Sequence, residues 1–288
     1  EKFYAAKPDS LKAIMYAKYY IKKAQRAKDT IKTGEGNYYL SDITKDSIYF
    51  VKYWNDIIQK TNNSKNKLFP AYSFLKKGDY YYHKGIKDLA LNNYLLMQKS
   101  IRGNKREILK AINQLRIGLL KSKIGNYKTG ITFYKRSYKL FNSQEFDKKN
   151  LNEYISLLLN ISSNYKNLKQ FDSAFFYNKK VIDLSIKHKN KKTYGYSIYS
   201  EGDIEFKRKN FTKAIITFKK SIPSIIDDSN FYVLSYIYKS IAISYEQKQN
   251  NSEAIKYYIK VDSLFLKTNN IYISQKPAYK FLANYYKE

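Results

Sequence analysis

The sequence predicts an all-α fold, a solenoid of about six to seven stacked antiparallel helix pairs. Three observations lead there. A pattern recurs at a fixed period: Ser197–Phe218 aligns without a gap on Ile237–Tyr258, an offset of 40 residues (254 − 214). Within each copy a small residue (Gly202, Ala242) is followed twelve positions later by a second (Ala214, Ala254), and four later by an aromatic (Phe218, Tyr258). Almost nothing in the chain alternates apolar and polar with period two. A repeat of this length means units that cannot bury their own apolar faces and must stack on neighbours. The small residues belong where two helices cross, because a larger side chain would hold the axes beyond the usual 8–10 Å.

Taken in order, residues 9–28 read as one helix. Pro8 with Asp9 or Ser10 starts it, and Leu11, Ile14, Met15, Ala17 and Ile21 form its stripe. It behaves as the second helix of a unit whose first is short or missing. Thr33-Gly34-Glu35-Gly36 opens the next pair, whose second helix carries Ile48, Val51, Trp54, Ile57 and Ile58, and Thr61-Asn62-Asn63-Ser64 is a loop. Residues 1–69 keep the pattern only weakly; Gly36 and Ile48 are twelve apart. From 70 onward it is regular. Gly78, Tyr81 and Ala90 mark a unit that ends at Arg102-Gly103-Asn104. Gly118 and Gly130 mark the next, and Ser162 and Ala174 the one after. Gly202 with Ala214 and Ala242 with Ala254 complete the series. The second-position markers at 48, 90, 130, 174, 214 and 254 are 42, 40, 44, 40 and 40 apart. Pro223 should bend or end its helix. Tyr279–Tyr286 matches the opening helix of a further unit. The whole chain, 1–288, is thus expected to be one helical array.

The totals exclude several functions. There is no cysteine, hence no disulfide, thiolate metal site or cysteine nucleophile. His83 and His188 are the only histidines, and neither has an acidic residue at metal-ligand spacing. Asp227-Asp228 lacks the following ligands of a calcium loop. Gly34-Glu35-Gly36 has no preceding strand and is no phosphate loop. No catalytic residue, metal or cofactor is expected, and the chain reads as a non-enzyme. No apolar run is long enough to span a membrane, and the opening residues Glu1-Lys2-Phe3-Tyr4 are too polar for a signal peptide. The net charge of +30 invites a nucleic-acid reading, but arginine stands only at 26, 102, 106, 116, 136 and 208. Phosphate forks and base readout favour arginine, so the lysines are read as solvated outer faces, and a scaffold that binds nucleic acid or another acidic surface through its charge is the second choice.

The pattern resembles the tetratricopeptide repeat. That family has small residues at positions eight and twenty and aromatics at eleven and twenty-four. Gly78/Tyr81/Ala90/Tyr94 and Ala242/Tyr245/Ala254/Tyr258 match all four, and Gly202/Ala214/Phe218 match three. The period of 40 exceeds the family's simplest unit, so helices or loops must be longer. The resemblance implies a right-handed superhelix and a peptide or protein ligand on the concave face lined by the first helices. Arrays of this long type resemble sensory portions of bacterial regulators. There they precede a membrane helix and a helix-turn-helix or kinase output, which would make the compartment cytoplasmic, or periplasmic in a membrane-linked sensor. A second copy of the chain is an allowed partner.

By the same resemblance, positions two, five, nine, twelve and thirteen of each first helix face the ligand. The candidate groove residues are Tyr72, Tyr82, Lys166, Asn167, Tyr196, Tyr199, Asp203, Lys207, Tyr236 and Lys239. Tyrosines offer large contact area at low entropic cost, and the polar groups suit a peptide backbone. The family's terminal-carboxylate clamp is not assembled: Lys280 and Asn284 have its spacing, but the units before offer Lys239/Ile243 and Tyr199/Asp203.

Overall fold

The computed structural model describes residues 10–44, 47–62, 68–101, 106–142, 150–268, 275–285 and 287. Pro8, Asp9, Asn63, Ser64, Arg102-Gly103-Asn104, Tyr286 and the side chain of Ile48, all used in the sequence reading, lie outside the described residues. Among the described residues are fourteen α-helices and no strand. The chain forms two compact units, Glu1–Phe146 and Asp147–Glu288.

In the first unit the helices are α1 (Ser10–Arg26), α2 (Thr30–Thr44), α3 (Ser47–Thr61), α4 (Leu68–His83), α5 (Lys87–Ser100), α6 (Glu107–Lys123) and α7 (Tyr127–Asn142). In the second they are α8 (Leu151–Asn167), α9 (Phe171–Lys187), α10 (Lys191–Lys207), α11 (Phe211–Asp227), α12 (Phe231–Gln247), α13 (Asn251–Thr268) and α14 (Gln275–Tyr285). The most extensive packing joins α4 to α5, α6 to α7, α10 to α11 and α12 to α13. These are the pairs the twelve-residue spacing predicts.

The 40-residue period has a simple cause. From α8 to α12 every helix has 17 residues, about 25 Å of rise, and every turn between them has three. Helices therefore begin every 20 residues, at 151, 171, 191, 211, 231 and 251. Each turn centres on one left-handed residue: Lys169 (φ 58°), Lys189 (51°), Lys209 (67°), Ser229 (53°) and Gln249 (59°), with Lys28, Gly85 and Gly125 doing the same in the first unit. In several of these turns the residue that follows serves two helices at once. Asn190 donates its N–H back to the Ser185 carbonyl (2.8 Å), closing α9, and its side-chain oxygen accepts from the Thr193 N–H (2.9 Å), opening α10. Asn230, Asn250 and Asp29 repeat both bonds. Backward closure of this kind satisfies the last carbonyls of one helix, and the asparagine or aspartate cap satisfies an orphan donor of the next.

The marker residues form the core. Ala90, Ala174, Ala214 and Ala254 are fully buried, as are Tyr94, Tyr134 and Phe218, while Tyr258 is all but fully so. Each of these rings contributes about 2 kcal/mol by burial. The position-eight glycines face them directly. A Cβ on Gly78 would stand 2.4 Å from Tyr94 Cε1, on Gly118 2.5 Å from Tyr134 Cε1, and on Gly202 2.7 Å from Phe218 Cδ1. Absence of a side chain is what lets the ring lie flat on the crossing helix. Trp54, read as core, is buried in α3 with its ring edge-on to Tyr72 at 6.1 Å.

Two details differ from the sequence reading. Thr33–Gly36 lies inside α2 rather than at its start, and α2 packs more extensively on α1 than on α3. The reason is local: a Cβ on Gly36 would stand 2.4 Å from Ile21 Cγ1, and Tyr20 of α1 donates to Glu35 at 2.9 Å. Pro223 does not break α11 on the spot; the helix runs on to Asp227 before its turn. The last helix, α14, packs on α13, burying Ala278 and setting Phe281 against Tyr258 with ring centres 4.7 Å apart.

Candidate functional site

The first helices of the second unit, α8, α10 and α12, come side by side because the helices between them in sequence fold back to the other layer. Successive first helices therefore expose equivalent positions along one face. Of the predicted groove residues, Lys166, Asn167, Tyr196, Tyr199, Asp203, Lys207, Tyr236 and Lys239 belong to these three helices.

Asp203 stands at the centre of that face. It is 5 % exposed. Its Oδ2 is ion-paired to the Lys166 ammonium from α8, and its Oδ1 accepts from the Tyr236 hydroxyl of α12 at 2.8 Å. One carboxylate thus ties three consecutive first helices. A buried charge is tolerated when it is paired and hydrogen-bonded in this way. Asp203 is consequently engaged within the protein, and its role at the face is to position Lys166 and Tyr236.

Around this node sit two rings and two cations. Tyr199 meets Tyr236 edge-on at 5.9 Å between centroids. Burial and the Asp203 charge push both phenols well above the ordinary tyrosine range, so they stand as neutral donors. The Lys239 ammonium lies over the Tyr236 ring at 4.7 Å. Burial, and then the neighbouring Lys207 charge, push it below the ordinary lysine range, with Asp203 acting in the opposite sense. Lys207 and Asn167 are exposed at the C-terminal ends of α10 and α8. Tyr196 is drawn off to the α11–α12 turn, donating to Asp228 (2.7 Å) and accepting from Asn230 (2.6 Å).

Tyr72 and Tyr82 lie in the first unit. Lys76 sits over the Tyr72 ring at 5.2 Å and Lys123 over the Tyr82 ring at 4.5 Å. Asp79, at the pattern position of Asp203, repeats its arrangement with other partners: Arg116 Nε of α6 at 2.9 Å and the Tyr94 hydroxyl at 2.9 Å. Both acids take their cation from a neighbouring first helix 37 positions away. The sequence reading placed Asp203 among ligand-facing groups and did not see this use. The available signal was the 37-residue spacing of opposite charges within a 40-residue repeat. Among the described residues no cluster of three acidic or histidine side chains could hold a metal, and no helix is long and apolar enough to cross a membrane.

No family model matches the chain, and no curated protein matches it. Solved structures do. The apo form of RapI superposes with a TM-score of 0.63 at 15 % identity, over 69 % of this chain and 72 % of that one. A Rap protein complexed with competence and sporulation factor gives 0.56 at 12 % identity, over 90 % and 77 %. A signal transduction ATPase with numerous domains from Pyrococcus horikoshii, which has a tetratricopeptide repeat sensor, gives 0.64 at 12 % identity, over 96 % of this chain and 42 % of that one. The fold is of the tetratricopeptide repeat type.

Proposed function

We propose that the chain is a non-enzymatic peptide- or protein-binding module, the sensory or scaffolding part of a bacterial signalling protein. Its second unit holds an extended segment along α8, α10 and α12. The observation that supports this reading most is the division of charge at the face. Asp203 is shared between Lys166 and Tyr236, which leaves Lys207 and Lys239 repelling one another beside two tyrosine rings. A carboxylate on a bound segment would relieve that repulsion, and the rings would take an apolar side chain next to it. A Rap protein complexed with competence and sporulation factor, similar in fold, is consistent with a binding role.

Selection of peptides from a random displayed library on the immobilised protein tests the reading. At moderately high salt, exposed charges more than about 8 Å apart are screened. Sequences carrying an acidic residue beside an apolar one should then be enriched, and lost on Tyr199→Ala combined with Lys207→Ala. Absence of any enriched sequence, or equal retention by the variant, would contradict it.

A further inference from the structure

A second feature lies in the first unit, and none of its lining residues is a predicted site residue. A cleft of about 910 Å³ opens between α5, α6 and α7, within the range of about 300–1,000 Å³ usual for ligand sites. Asn113 and Gln114 of α6 line it. Asn113 is 1 % exposed and Gln114 9 %. Neither atom of the Asn113 amide has a hydrogen-bond partner, nor has Gln114 Oε1. Exchanging the two amide atoms of Asn113 changes nothing, since both are unpaired.

Two other buried asparagines, Asn93 and Asn178, also leave the amide oxygen unmatched, but both place their N–H, as half-buried Asn160 does. Asn93 and Asn160 donate back to the carbonyls of Leu89 and Ser156, four residues earlier, both at 2.7 Å. Asn178 donates to the Ser197 carbonyl at 2.9 Å. Ser137, at the same α6–α7 contact, reaches the Ala111 carbonyl at 2.7 Å. Asn113 forgoes such bonds and keeps a donor and an acceptor against the cleft. A buried polar group left unmatched costs stability, and a ligand in the cleft that paired both atoms would relieve that cost.

The surroundings define what arrives. Lys99, Arg136 and Lys139 stand exposed around the cleft, no carboxylate is among its described lining residues, and Leu95 and Leu140 give it an apolar side. The fourth cation, Lys110, is matched by Glu107 at 2.9 Å. An amide that offers both N–H and C=O matches a peptide bond. Cations at the rim match acidic side chains, and the leucines an aliphatic one. We propose that the cleft between α5, α6 and α7 binds a short acidic peptide segment, with the Asn113 amide pairing its backbone and Gln114 Oε1 accepting a second backbone N–H.

The test must separate this from attraction to a chain of charge +30. A short labelled peptide alternating glutamate and leucine is titrated by fluorescence anisotropy at moderately high salt. A copy with methylated backbone nitrogens, of the same charge, is titrated beside it. The methylated copy should bind about tenfold more weakly, and Asn113→Leu should weaken the parent peptide by about as much. Arg136→Glu should also weaken it, while Lys213→Met, exposed on α11, should not; all are measured in the Tyr199→Ala/Lys207→Ala background, which silences the second-unit face. Asn113→Leu removes an unmatched amide at similar volume, so it should fold at least as stably, checked by thermal unfolding; Gln114→Met serves as the second variant. Equal binding of the methylated copy would overturn the proposal. So would displacement by polyphosphate as readily as by unlabelled peptide, or unchanged binding by Asn113→Leu.

Discussion

Tyr236 donates its hydroxyl to Asp203 across two neighbouring first helices, at 2.8 Å, while Lys166 holds the other carboxylate oxygen from the opposite side. Removing the acid leaves a largely buried ammonium and a buried phenol without their acceptor. Asp203→Ala should therefore cost about 3 kcal/mol of stability, measured by denaturant unfolding. Lys166→Met in the same background should restore part of it, because the stranded charge is gone. If the two losses simply add, the three helices are not coupled through this node.

Gly195 in the second turn of α10 faces Ser224 in the last turn of α11. A Cβ there would stand 2.2 Å from Ser224 Cβ, an atom fixed to the backbone rather than the far end of a flexible chain. Gly195→Ala should destabilise the protein by about 2–3 kcal/mol through overpacking. Gly118→Ala, which meets the ring of Tyr134, should cost less, since a ring can tilt. Unfolding midpoints of the two variants give the order, and the reverse order would contradict the packing described for α10 and α11.

The turns make a prediction of opposite sign. Lys209 holds φ at 67°, a left-handed conformation that costs a side chain with a Cβ about 1 kcal/mol. Lys209→Gly should raise stability by up to that amount, less the entropy glycine loses on folding. Asn190→Ala should lower it by about 1 kcal/mol, because the Thr193 N–H loses its cap. Equilibrium unfolding of both variants checks the signs.

These particulars mark how far the fold was legible. Gly78 with Tyr94 and Gly202 with Phe218 announced themselves, because a small residue facing a ring recurs at fixed spacing and packing demands both. The 20-residue rhythm beneath the 40-residue period was hidden by its turn residues. Left-handed positions usually announce themselves as glycine, and here five consecutive ones are Lys169, Lys189, Lys209, Ser229 and Gln249. Asp203 was placed on its helix, but its bonds to Lys166 and Tyr236 were not foreseen. Whether a carboxylate meets ligand or a neighbouring lysine depends on the offset between stacked hairpins, which no local pattern encodes. Asn113 gave less still: within Ile112-Asn113-Gln114-Leu115 it reads as an interruption of an apolar stripe.

Tyrosine ionisation supplies a pH test. Burial pushes Tyr134 from 10.0 up to about 12, and pushes Tyr94, Tyr199, Tyr236 and Tyr258 up as well. A raised folded pKa means the folded state keeps its proton where the unfolded chain has lost it. Stability is then intact below pH 10 and falls as pH rises from the unfolded value toward the folded one. For Tyr134 alone the loss between pH 10 and 12 is on the order of 2 kcal/mol. Tyrosine ionisation is followed by absorbance as pH rises above the ordinary phenol range. The buried set should ionise only in a cooperative step that coincides with loss of helical circular dichroism. Ionisation of all tyrosines in one gradual phase, with helicity retained, would mean these rings are not buried.

The most direct measurement of the binding account is a calorimetric titration of a library-selected peptide against three proteins: wild type, Lys239→Met and Lys213→Met. Both variants lose one positive charge, but Lys239 lies over Tyr236 at the first-helix face and Lys213 is exposed on α11. Saturable binding weakened about tenfold by Lys239→Met, and unchanged by Lys213→Met, is the predicted result. Equal weakening by both, vanishing with added salt, would mean that net charge alone holds the peptide and that the face of α8, α10 and α12 is not its site.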